Sequence, residues 1–138
     1  GDFTVEFQLR LTNVTSTQVF IDFRDSANSN LALAVYISSS TFYFWAGSSE
    51  IAIGTLSTNT WHHIAIVRSG STITSYIDGT AGGTETNTNR LLARQITIGS
   101  NWNGQYYLIG YMDELRITNG KARYTSNFTA PAEAFLDR

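Results

Sequence analysis

The residues that first invite chemistry are the acids. In the run Tyr107, Ile109, Tyr111, Asp113, Leu115, Ile117, alternate positions set one carboxylate in line with five mostly apolar side chains, since successive strand residues point to opposite faces. A carboxylate on a buried face needs backbone donors, a cationic partner or a metal ion to offset its lost hydration. The cationic candidates are Arg116 and Arg123. Two carboxylates flanking a glycosidic bond at a defined separation would hydrolyse it. Here Asp113 and Glu114 are adjacent and face opposite ways, while Asp22 and Asp25 stand three apart across a strand end.

His62 and His63 are neighbours, so on a strand their imidazoles point to opposite faces and cannot readily share one ion. The reading that follows is one histidine packed near Trp61 and one near solvent. Serine is abundant, but no Gly-x-Ser-x-Gly turn presents one as a nucleophile. There is no cysteine, which removes thiolate and disulfide chemistry.

Aromatic rings offer a different chemistry, because a flat ring covers the apolar face of a pyranose while nearby amides and charged groups bond its hydroxyls. The segment Ser100 to Tyr107 (SNWNGQYY) has this composition, which makes Trp102, Asn103, Tyr106 and Tyr107 candidate sugar contacts. In TFYFWA, residues 41–46, Tyr43 and Trp45 share one parity, and Phe42 and Phe44 the other. One pair must face away from the core, which adds Tyr43 and Trp45 to the candidates.

The elements that position these residues read as strands. Residues 3–11 alternate Phe3, Val5, Phe7, Leu9 and Leu11 against Thr4, Glu6, Gln8 and Arg10, the pattern of a half-buried strand. Further strands are expected at 18–23, 31–37, 41–46, 50–54, 61–68, 72–78, 95–99 and 106–117. The Ser, Asn, Gly and Thr clusters between them supply turns. No ten-residue stretch carries helical periodicity, and Pro131 is the only proline. The pattern predicts an all-β sandwich of two antiparallel sheets. Residues 79–89, with Gly82-Gly83, read as the longest loop, and 120–124 as room for one helical turn.

The 138 residues suit one domain spanning 1–138, with 42% hydrophobic and 14% charged residues, a balance opposite to that of disorder. The net charge of −2 comes with eight arginines and one lysine scattered along the chain, so no nucleic-acid partner is expected. No run approaches the roughly 20 apolar residues of a membrane span, and no membrane insertion is expected. The start, Gly1-Asp2-Phe3, shows no charged leader.

Three stretches, TWHHIAIVR at 60–68, SYIDG at 75–79 and ITIGS at 96–100, are joined by GYMDELRI at 110–117 and ARYTSNFT at 122–129. In this order they resemble a laminin-G-like domain of the concanavalin A-like lectin and glucanase superfamily, of the type found in phage virion and bacterial surface proteins. The resemblance covers nearly the whole chain. It implies a jelly roll of two curved antiparallel sheets, often one module of a larger secreted, cell-surface or virion protein. It also implies that Asp113, on the last strand, holds a structural calcium with backbone carbonyls near the N-terminus. Asp2 or Asp25 would assist, since calcium takes six to eight oxygens.

The function expected is a non-catalytic, lectin-like module that binds glycan or a surface protein, outside the cell, on its surface or on a virion. The alternative is a structural or assembly domain, such as a phage tail or capsid decoration, self-associating or attached to a larger particle through protein contacts alone.

Overall fold

The computed structural model describes residues 1–29 and 31–135. Ten strands follow one another: β1 Phe3–Leu11, β2 Gln18–Asp22, β3 Ala34–Ser38, β4 Thr41–Trp45, β5 Glu50–Gly54, β6 Trp61–Ser69, β7 Thr72–Ile77, β8 Thr80–Thr86, β9 Thr97–Ile98 and β10 Gly110–Asn119. They form two five-stranded sheets, ordered β10-β1-β6-β7-β8 (sheet A) and β5-β4-β3-β2-β9 (sheet B), with every pairing antiparallel. This is the expected all-β sandwich. The described residues contain no helix, including 120–124.

Local sequence sets the hairpins. Asp78 and Gly79 join β7 to β8 with φ of 50° and 80°, the two positive values of a type I′ turn whose twist matches the flanking strands. Phe7, Leu9 and Leu11 of sheet A meet Phe20, Phe42 and Phe44 of sheet B between the layers, all at 1% exposure or less. Phe42 and Phe44 therefore take the core side of β4 and turn Tyr43 and Trp45 outward.

Four expectations change. The Gly82-Gly83 segment is strand β8, not loop. Glycine is what allows it there, because a Cβ on Gly82 would lie 2.5 Å from the Ile53 carbonyl oxygen and one on Gly83 2.3 Å from that of Ala52. β8 thus presses its backbone against β5 of the other sheet. Next, β1 is not half-buried. Thr4 and Glu6 on its polar side are fully buried, because residues 120–135 fold back over the outer face of sheet A. Thr4 Oγ1 donates to the Lys121 carbonyl (3.0 Å), Gln8 Nε2 to that of Pro131 (3.2 Å) and the Phe128 N–H to that of Gly79 (2.9 Å).

The third change is in the last strand, which starts at Gly110 and carries a bulge. Opposite the Glu6–Gln8 step of β1, β10 advances from Arg116 to Asp113, and Glu114 takes φ 51°. The extra residue flips the alternation, so Met112 and Leu115 pack on the core while Tyr111 and Asp113 point to solvent. Asp113 is exposed rather than buried. Fourth, the strand at 95–99 is reduced to Thr97–Ile98.

Candidate functional site

Where sheet A is covered by the tail, the outer face of sheet B is open, and the strand register lays its side chains in rungs. One rung is Asp22, Ala34, Trp45, Glu50, running across β2, β3, β4 and β5. The next is Val19, Tyr36, Tyr43, Ala52. The rings of Tyr36 and Tyr43 stack with centroids 5.6 Å apart and planes at 24°. Ala34, with no side chain beyond Cβ, leaves a gap in the first rung. A groove of about 380 Å³ follows, lined by Arg24, Ala34, Tyr36, Trp45, Trp102 and Tyr106 among others.

Strict alternation would place Asp22 beside the core residue Phe20. A bulge between Val19 and Ile21 instead sends both Phe20 and Ile21 inward and Asp22 outward. There Asp22 is 0% exposed, because the loop after β9 crosses above it. Its carboxylate accepts from Arg24 Nε (2.8 Å), Arg24 Nη2 (2.7 Å), the Arg24 N–H (3.0 Å) and the Trp102 N–H (3.1 Å). A bidentate charged pair of this kind is geometrically fixed. Arg24 in turn lies over the Trp45 ring, 5.7 Å from its centroid, within cation–π range. One buried carboxylate thus fixes Arg24, orients it on Trp45 and anchors the loop that bears Trp102.

The loop holds its own shape through Asn101. Its side-chain oxygen accepts from the N–H groups of Asn103 (3.2 Å) and Gln105 (2.7 Å), and its backbone N–H donates to the Gln105 carbonyl (2.9 Å). The Val19 N–H then bonds the Tyr106 carbonyl (2.9 Å), pinning the loop's second half to β2. At the far end of the rung, the Tyr36 hydroxyl donates to the Glu50 carboxylate. Burial, then this bond to Glu50, push the Tyr36 hydroxyl well above its ordinary range, so it stays a donor at any physiological pH.

Of the six sugar-contact candidates, Trp45, Trp102 and Tyr106 line this groove together. Tyr43 stands just outside it on the stack with Tyr36. Asn103 lies at the loop tip and Tyr107, 68% exposed, beyond the groove. Sequence reasoning missed Asp22, Arg24, Tyr36 and Glu50. The outward parity of Tyr36 opposite Tyr43 was a readable signal; that of Asp22 was hidden by the bulge.

The metal candidates do not converge. Asp2 Oδ1 accepts the Gly70 N–H (2.8 Å), and Asp113 Oδ1 caps the N–H of its neighbour Glu114 (2.8 Å). Asp2 precedes Phe3, which pairs with Asn119, whereas Asp113 pairs with Gln8. Six strand residues separate the two levels, about 20 Å at the usual rise. Asp25 accepts from Ser29 and faces Arg94 at 3.8 Å. Among the described residues no three His, Asp or Glu side chains gather as a metal site, so this donor set does not fit a calcium held by Asp113 and Asp2.

The histidines divide as their parity requires. His62 Nδ1 meets Asp78 Oδ2 (2.7 Å) and its Nε2 meets Ser57 Oγ (3.0 Å), the connectivity of a nucleophilic relay. Here Asp78 also accepts the His63 N–H through Oδ1 (2.8 Å), and the relay staples the 55–60 loop and the β7–β8 turn to β6. His63 is buried on the outer face of sheet A. Its ring meets Tyr124 and Phe128 edge-on, and its Nε2 lies 3.1 Å from Glu6.

A family model described as the concanavalin A-like lectin/glucanases superfamily matches residues 1–124. The chain belongs to that superfamily. Among solved structures, this superfamily member is similar to domains LG4-5 of the mouse laminin α1 chain, at 16% identity and a TM-score of 0.67, covering 96% of this chain and 41% of that one. It is also similar to domain 4 of an extracellular arabinanase from Geobacillus stearothermophilus in complex with arabinotriose (17% identity, TM-score 0.65, 87% of this chain and 61% of that one). A third is the sialidase CBM40 of Ruminococcus gnavus bound to α2,3-sialyllactose (9% identity, TM-score 0.64, 85% and 74%). The chain thus spans less than two thirds of the laminin and arabinanase chains. At these identities the likeness establishes the fold. Among curated proteins, no sequence matches the chain.

Proposed function

We propose that this chain is a non-catalytic glycan-recognition module, acting outside the cell, and that the open face of sheet B is its binding surface. The observation that carries the reading is the gathering of Tyr36, Trp45, Trp102 and Tyr106 around one groove, on the one sheet face the tail leaves bare. Concave, aromatic-lined sites with a few fixed polar groups are the usual form of a ligand site. Solved structures of the same fold in complex with arabinotriose and α2,3-sialyllactose support the choice of ligand class. Bond cleavage does not belong to the reading. The acid lining the groove is Glu50, and Asp22, buried beneath the groove, sits three strands away on the same rung, about 14 Å at the usual strand spacing. A glycosidase pair needs about 5–9.5 Å.

Calorimetric titration of the wild type and of Trp45→Ala with oligosaccharides drawn from a glycan array tests the proposal. Binding by the wild type and its loss in the variant are expected; an array on which no glycan is retained overturns it.

A second reading, contact with protein in a larger assembly, is favoured by one observation. Ile98 (55% exposed), Ile109 (42%), Tyr111 (57%) and Ile117 (44%) lie on or beside the edge strands β9 and β10. Light scattering on the purified chain decides it, a discrete oligomer supporting protein contacts and a monomer removing self-association.

A further inference from the structure

We infer that the groove on sheet B selects neutral glycans and rejects those bearing a carboxylate or sulfate, an inference that rests on the glycan-binding reading above. Recognition of an anionic sugar needs a cation or a set of free donors directed at it. Among the described residues lining the groove, the only cation is Arg24. Both Nε and Nη2 of its guanidinium are taken by Asp22, at 2.8 and 2.7 Å, and its Cζ lies over the Trp45 ring, 5.7 Å from the centroid. Asp22 is itself fully buried, so this pair leaves no net positive charge at the groove.

The remaining charged group lining the groove is Glu50, held by the Tyr36 hydroxyl as acceptor. Summed over Arg24, Asp22 and Glu50, the site carries one net negative charge. An anionic sugar entering over Trp45 would meet Glu50, the neighbour of Trp45 on the same rung, with no opposite charge to offset it. The hydroxyls of a neutral sugar meet acceptors in Glu50 and the Asn101 loop, and rings in Trp45, Trp102 and Tyr106. The charge set therefore discriminates among glycans that the aromatic platform alone would accept.

The test uses a glycan array printed with pairs that differ only in one terminal sialic acid, uronic acid or sulfate, followed by titration of the best pair. The neutral member should bind at least about fivefold more tightly, the scale of one like-charge contact at about 4 Å screened as in bulk water. The gap should narrow in 1 M salt, where the screening length falls to about 3 Å, and narrow again in Glu50→Gln. An acidic member that binds as well as its neutral partner, or a gap indifferent to both salt and Glu50→Gln, overturns the inference and leaves the glycan module standing. If no member of any pair binds, the proposed function itself falls and the inference with it.

Discussion

The outer faces of the two sheets both carry aromatic rings and a fully buried carboxylate, yet they have become different objects. On sheet A, Glu6 lies beneath the tail. Its Oε1 accepts from Arg116 Nε and Nη2 (2.7 and 2.6 Å), and its Oε2 from the Tyr124 hydroxyl (2.8 Å) and His63. The Tyr124 and Phe128 rings stack above it at 3.6 Å. On sheet B, Asp22 is engaged just as fully, but by an arginine and a loop that leave Trp45, Tyr36 and Trp102 in reach of solvent. The same device, a buried acid gathering donors, fastens a lid on one face and props open a groove on the other. What differs is what the next segment of chain brings: residues 120–135 bring apolar rings that seal, while residues 99–109 cross only β2.

The comparison predicts that mutations on the two faces separate stability from binding. Glu6→Ala removes the acceptor shared by Arg116, Tyr124 and His63 and should cost about 3 kcal/mol, the low end for breaking a buried ion pair because Arg116 reaches solvent. For a chain of this length that is about 10 °C in melting temperature by calorimetry, with glycan binding unchanged below the transition.

The pH dependence follows from the same group. Burial opposes the Glu6 charge, but the bonds from His63, Tyr124 and Arg116 outweigh it and hold its carboxyl below the ordinary 4.5. A lowered carboxyl supports folding fully above its unfolded value, and that support is lost as pH falls through the folded one. Below pH 4.5 the wild-type melting temperature should therefore fall more steeply than that of Glu6→Gln, and parallel curves would break the assignment. Tyr124, pushed up to about 12 by burial and then by Glu6, keeps its proton throughout.

Phe128→Ala strips one ring from the stack over His63 and Tyr76 and should cost about 2 kcal/mol in denaturant unfolding, less than a full core phenylalanine because Phe128 is half-buried. On the open face, Trp45→Ala or Trp102→Ala should weaken glycan binding about tenfold or more, on the order of 1.4 kcal/mol, while the melting temperature barely moves. A loss of stability as large as that of Phe128→Ala would show the groove aromatics to be packing rather than platform. The smallest effect belongs to Asp113→Asn, which should leave melting unchanged with or without calcium after chelator treatment. A calcium-dependent rise that this variant abolishes would restore the metal reading.

Most of the architecture was legible because hydrophobic alternation reports which face of a strand is buried. The alternation in β1 placed Phe7 inside, and that in β4 set Phe42 and Phe44 against Tyr43 and Trp45, leaving the structure to decide which pair faces out. The facing of both acids was misread where one residue too many entered the strand. The bulge at Phe20 turned Asp22 outward, and the bulge at Glu114 turned Asp113 outward, so the acid that looked buried is exposed and the acid that looked unremarkable anchors the groove. Gly82 and Gly83 misled for a related reason, as their value is steric room for β5, a partner far away in sequence.

The amino-acid order by itself determined the two-layer β architecture, the aromatic candidates and the absence of a paired-acid motif along one strand, because period-two patterning and residue type are local properties. The tertiary structure decided which face is open, which acid lies beneath the groove and that Arg24 is already neutralised. Those depend on two bulges and on where residues 99–109 and 120–135 come to rest, and a one-residue shift in register reverses every side chain that follows it.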